Sequence, residues 1–342
     1  MKKVIKPITS LNDLRALAAL MVVISHITCT GKFLGAFRGS YAVSIFYILS
    51  SFLCMYTTEK QLNIKENVFY ILKKVLKLIP IYYLFTIFTF IVATLKPELF
   101  NTSTATIPNL IKSFCFIPYQ NANGLVRPIL DVTWFLVLTF WFYVLFGISR
   151  MISNKYRGII SGIALSIIII LCEIFIPDNA IFNQYKSGIF SLILGILLYF
   201  GYGVVKEKIN VDDKCKWQTN FIFYACFILC SIIYSYLHSI IDTSYIIELI
   251  PLLLTTLFII FSSKFIQINL INIIATSSYS LYLVHEFIVK GFSRLIYNLD
   301  NLTIATFILS FVCLSISIAI GILINKFIEK PINKFITNKI LK

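Results

Sequence analysis

The residues at 159–176, 221–237 and 302–324 form almost unbroken apolar runs. Each approaches or exceeds the roughly 20 residues that a helix needs to cross a ~30 Å hydrocarbon core. Such runs leave little choice of fold, because backbone groups in lipid must be satisfied within the segment. Composition agrees: 58% of the 342 residues are hydrophobic and 13% are charged, against roughly 25% charged in a soluble domain. The chain reads as an all-α polytopic membrane protein. About ten transmembrane helices are expected, at 11–30, 40–57, 78–95, 132–152, 158–176, 187–205, 219–238, 244–262, 271–290 and 302–325. No separate soluble domain fits, so 1–342 reads as a single integral-membrane domain. The stretch from 96 to 131 is the longest between spans and carries Pro97, Pro108, Pro118 and Pro128. A lid over the outer face and a plain connector are both open for it.

The net charge is +15. In a soluble protein this would suggest nucleic acid, but here the charges lie between apolar runs, and the positive-inside rule explains them. With the N-terminus inside, 21 of the 30 Lys and Arg fall on inner segments and 8 on outer ones, the remaining one being Arg15. That bias gives an N-in, C-in topology and no nucleic-acid partner. Lys2, Lys3 and Lys6 before an apolar run resemble a signal peptide, but Arg15 and the lack of a small-x-small site favour a retained helix. The eight Cys include no Cys-x-x-Cys; they read as small buried hydrophobes, and no metal is expected. The Ile-, Lys- and Asn-rich composition suits an AT-rich bacterial genome and hence a bacterial cytoplasmic membrane. Oligomeric state is left open.

Two basic residues stand inside the first span. Arg15 and His26 are eleven residues apart, about 20° apart around a helix and about 16 Å apart along it. They share a face, and intramembrane ionisable residues point to function. Arg15 also reads as a snorkelling residue, and His26 as an interfacial one. Ser10 and Asp13 read as a capping box. Lys73, Lys74 and Lys77 stand where the third span enters from the inner side; they read either as topology anchors or as a cationic clamp for a phosphate-bearing ligand. Trp134 opens the fourth span as an aromatic-belt residue. Ser280, Tyr282, His285 and Glu286 make the ninth span unusually polar, so they are expected to face a cavity or a partner.

Taken in order, these motifs resemble the integral-membrane acyltransferase family 3. They are Arg15-x10-His26, the Gly39–Leu53 second span, Lys73-Lys74-x-x-Lys77 before Pro80, Trp134-x-Leu136, Ser278-Tyr-Ser-Leu-Tyr-Leu-x-His285 and Ile328-Glu-Lys-Pro331. The family includes O-acyltransferases of surface glycans and modifiers of antibiotics and nodulation factors. The resemblance implies a catalytic His26 with Arg15 as its essential partner. It implies acyl-CoA, most simply acetyl-CoA, as donor substrate at Lys73, Lys74 and Lys77. The acceptor it implies is a cell-surface glycan or lipid-linked sugar precursor. There are departures. Asn12-Asp13-Leu14-Arg15-Ala16 replaces an Asp-Gly-Leu-Arg-Gly run, three lysines replace arginines, and Thr139 stands where many members have Glu. Lys keeps the charge but loses the bidentate fork.

The expected mechanism has His26 as general base for an acceptor hydroxyl, with Ser280, Tyr282, His285, Glu286 and Trp134 lining the substrate cavity. A transporter or flippase for a lipid-linked glycan is the alternative, against which stands the absence of Gly/Pro-broken helix pairs. A non-catalytic glycan-assembly scaffold is the third reading.

Overall fold

The computed structural model describes residues 8–30, 37–58, 64–99, 104–205, 217–241, 244–297 and 304–340. The lysines at 2, 3 and 6 and the inner loop at 206–216 lie outside these. The described helices are α1 (Ser10–Thr30), α2 (Gly39–Thr57), α3 (Ile64–Leu95), α4 (Ile107–Phe114), α5 (Trp134–Ile152), α6 (Arg157–Phe175), α7 (Ala180–Val205), α8 (Trp217–Ile240), α9 (Ser244–Ile247), α10 (Leu249–Ile260), α11 (Asn269–Thr276), α12 (Ser278–Tyr297), α13 (Ile304–Ile324) and α14 (Lys330–Phe335). Among the described residues no strand forms beyond an isolated bridge between Gln120 and Val126. Eight helices among the described residues are long and apolar enough to cross a membrane, so this is an all-α, multi-pass membrane protein.

The two remaining expected spans are built from broken helices. The first, Tyr245–Ile260, is interrupted at Glu248, between α9 and α10. Pro251 has no N–H to give the carbonyl one turn back, so one ladder bond is missing beside the interruption. The second is divided at Ser277, between α11 and α12. Thr276, Ser277 and Ser278 carry hydroxyls that compete for backbone groups, and Thr276 Oγ1 donates to the carbonyl of Ile273 at 2.9 Å.

The third span differs the other way. It begins at Ile64 rather than 78 and continues unbroken through Pro80 for 32 residues. That is about 48 Å of helix, well beyond the ~30 Å hydrocarbon layer. The surplus turns carry Lys73, Lys74 and Lys77, and Lys is a good helix former.

The contacts divide the chain into two compact units: Met1–Glu59 with Ser191–Ile322, and Lys60–Phe190 with Leu323–Lys342. In the first unit, α1 packs on α2, α10, α11 and α12. Ala16, Ala19, Val23 and Ile27 recur at helical spacing and bury against Ile274, Ala275, Leu281, Val289 and Cys313. Ala16 is fully buried in that seam, which accounts for a small residue where the family pattern has glycine. Gly195 of α7 lies so close to α2 that a Cβ would come 2.3 Å from the Ile48 carbonyl oxygen.

In the second unit, α5 packs between α3 and α6. Of the stretch between the spans, residues 104–131 fold onto the same unit. Tyr82 Oη donates to the Ser113 carbonyl and Tyr83 Oη to the Phe114 carbonyl, each at 2.8 Å. Phe116 takes a φ of 52°; its carbonyl accepts from Trp141 Nε1 at 2.8 Å and its ring stacks on Phe140 at 4.3 Å. These contacts hold a backbone conformation that a bulky residue rarely adopts.

Candidate functional site

α1 is an interior helix. Of its spanning window, 67% is buried, against 17% for α6 and α13. Asp13 is accordingly buried and Arg15 half-buried. The capping-box expectation at its start gives way to tertiary bonds. Ser10 Oγ donates to the Phe258 carbonyl at 2.5 Å. The Asp13 carboxylate accepts from Tyr224 Oη at 2.6 Å and from Asn220 Nδ2 at 3.2 Å. Asn220 also bonds both backbone groups of Ile266, at 3.0 Å each. The start of α1 is thus tied to α8 and to the segment before α11. Arg15 is half-buried two residues further on. With α1 continuous from Ser10 to Thr30, about 16 Å of rise separates Arg15 from His26, so the two do not bond directly.

His26 is an exposed side chain near the other end of α1, and there the structure adds a partner. The rings of His26 and His285 meet edge to face, with centroids 5.0 Å apart at an interplanar angle of 74°. His285 is 0% exposed. Neither of its ring nitrogens makes a hydrogen bond of ordinary geometry among the described residues, though the Tyr282 and Leu281 backbone lies within electrostatic reach. A buried polar group left so is uncommon. Tyr282, one turn earlier on α12, places its ring 5.8 Å from that of His285. The two motifs that dominate the sequence, Arg15-x10-His26 and Ser278–His285, therefore meet at a pair of imidazoles. Ser280 and Glu286 are buried on the same helix. Glu286 is held by Lys290 Nζ at 2.5 Å, a charge neutralised one turn along.

The remaining expected site residues belong to the second unit. Lys73 and Lys77 are exposed on α3, and Lys74 is half-buried with its Nζ 5.7 Å from the Tyr70 ring. Glu329, of the Ile328–Pro331 motif, lies within electrostatic reach of Lys77. It accepts from Asn325 Nδ2 at 2.7 Å across one wide π turn. Trp134 opens α5 under the Arg127 guanidinium, whose carbon is 5.8 Å from its ring. Thr139, in the family's frequent Glu position, donates back to the Phe135 carbonyl at 2.9 Å. This unit also has a groove of about 520 Å³ walled by Val137, Leu145, Leu165, Ile168 and Phe182. Its nearly all-apolar lining suits an acyl chain of lipid rather than a proton-transfer step.

Glu248 is a residue the sequence reading passed over. It is 1% exposed, sits where α10 begins, and accepts from Ser191 Oγ at 2.8 Å and Tyr234 Oη at 3.0 Å. An acid inside an apolar span was the available signal. No group of three or more His, Cys, Asp or Glu able to hold a metal occurs among the described residues.

The fold is that of a multi-pass helical membrane protein, and comparison with known families gives its class. The family model described as an acyltransferase domain matches residues 8–325, and the chain belongs to that family, acyltransferase family 3. Neither the curated proteins nor the solved structures contain a match.

Proposed function

We propose that the protein is a membrane O-acyltransferase. It moves an acyl group, most simply acetyl, from cytosolic acyl-CoA to a hydroxyl of a cell-surface glycan or its lipid-linked precursor, in a bacterial cytoplasmic membrane. The supporting observation is the meeting of exposed His26 with buried His285. An accessible imidazole backed by a second one suits a general base near neutral pH. In the proposed step, His26 takes the proton of the acceptor hydroxyl. The oxygen attacks the thioester carbonyl, the C–S bond breaks, and the CoA thiolate leaves to take up a proton. Arg15 is assigned to orienting the donor, and Lys73, Lys74 and Lys77 to its phosphates. The decisive assay follows label from radiolabelled acetyl-CoA into glycan in isolated membranes. It compares wild type with His26→Ala, Arg15→Ala and His285→Leu at matched expression. Loss in the first two supports the reading. Full activity of His26→Gln or His26→Ala defeats it.

A second reading, a flippase for a lipid-linked glycan, gains from the interruptions at Glu248 and Ser277, since discontinuous helices recur at transport sites. It predicts movement of glycan across the bilayer with no covalent label.

A further inference from the structure

Burial of two arginines in the second unit exceeds what membrane topology asks of them. A topogenic charge has only to stay out of the hydrocarbon, and an exposed side chain such as Lys73 or Lys77 does so. Arg150, at the end of α5, is instead 2% exposed, and Arg157, at the start of α6, is 6% exposed. Taking a guanidinium out of water costs several kcal/mol in general, and both are held in place. Arg150 Nε donates to Asn154 Oδ1 at 3.2 Å, and Arg157 Nη1 donates to the Asn154 carbonyl at 2.7 Å.

Helix packing brings a third cation to this corner. Gly147 of α5 stands against α3 so closely that an added Cβ would come 2.0 Å from Ile71 Cδ1. Next to that contact, Tyr70 of α3 lies under Arg150, with 4.9 Å from guanidinium carbon to ring centre. Lys74 Nζ is 5.7 Å from the same ring and 5.5 Å from that of Tyr143. One tyrosine ring thus has an arginine and a lysine from different helices within cation–π distance. A planar guanidinium presents a fork that matches phosphate oxygens, and a lysine adds a point charge.

We propose that Tyr70, Lys74, Arg150 and Arg157 form a phosphate-anion site, suited to an oligophosphate, in which the guanidinium forks come from α5 and α6 rather than from α3. Resting on the acyltransferase reading, the site would receive the phosphates of the donor's nucleotide. It would restore the bidentate contact that Lys73, Lys74 and Lys77 lack. An anionic lipid headgroup offers the same chemistry from the bilayer.

The test uses the full-length protein in nanodiscs of zwitterionic lipid. Calorimetric titration measures CoA binding, and the same discs with added phosphatidylglycerol report the lipid source by competition. We expect Arg150→Gln to weaken phosphate binding about tenfold or more, and Arg150→Lys, which keeps the charge without the fork, about three- to tenfold. Lys112→Gln, at an exposed cation of the same unit outside the site, should change it less than about threefold. If Arg150→Gln fails to fold, Arg150→Lys decides. Arg150-dependent CoA affinity assigns the site to the nucleotide; dependence confined to phosphatidylglycerol assigns it to lipid. Affinities for both ligands that ignore Arg150 overturn the site. Normal acyl transfer beside such indifference rejects the site and leaves the acyltransferase reading standing. Arg150-dependent CoA binding with no transfer to glycan does the reverse.

Discussion

The two units hold their charged side chains in different ways. In the first, acids are met by directional hydroxyl and amide donors: Asp13 by Tyr224 and Asn220, Glu248 by Ser191 and Tyr234. In the second, cations lie over aromatic faces: Arg150 and Lys74 on Tyr70, Arg127 on Trp134, Lys112 on Tyr119. The first arrangement tolerates little displacement, because a hydrogen bond weakens steeply with angle and length. The second is more forgiving, since a cation attracts a ring over a range of positions within about 6 Å. The unit that holds the histidine pair is thus the one built for fixed geometry. The other gathers positive charge over aromatic rings.

The largest effect expected from breaking that contrast is at His26. His26→Ala should lower acyl transfer by about 10²–10⁴-fold, with unchanged melting of the purified protein; unaltered turnover would remove His26 from the chemistry. Next is Glu248→Leu, which leaves the hydroxyls of Ser191 and Tyr234 without their acceptor. It should destabilise by about 1–3 kcal/mol in denaturant or thermal unfolding, and Glu248→Gln should recover much of the loss. Equal stability of Glu248→Leu and wild type would mean those hydrogen bonds contribute nothing net.

Packing tests follow at comparable or smaller size. Gly195→Ala directs a methyl at the backbone carbonyl of Ile48, which cannot swing aside, and should cost about 1–3 kcal/mol. Gly162→Ala meets nothing within 4 Å and should be neutral or stabilising by up to about 1 kcal/mol. Reversal of that order in unfolding experiments would refute the close approach of α7 to α2. Smallest is Lys112→Met, which removes an exposed cation from the Tyr119 ring; about 0.5–1 kcal/mol is expected. A loss as large as that of Glu248→Leu would erase the distinction between the units.

Much of the candidate site was legible before folding was considered. Arg15, His26 and His285 stood out because ionisable groups are expensive at membrane depth, whatever the tertiary arrangement. Arg150 did not stand out, because a basic residue at a span end has a sufficient explanation in topology. Glu248 was available to the same depth argument and was overlooked within its apolar neighbours. Ser10 and Asp13 fitted a local capping pattern, yet their side chains bond Phe258, Tyr224 and Asn220, partners more than 200 residues away.

By itself the sequence determined the class of molecule. Apolar runs of spanning length demand helices in lipid, since no water is present to satisfy a free backbone. The order of the motifs identified the family. Only the tertiary structure decided that His26 meets His285, that Tyr70 carries charges from two helices, and that the apolar Tyr245–Ile260 segment breaks at Glu248. Those outcomes depend on which helix faces come together, and helical periodicity gives each face without naming its partner.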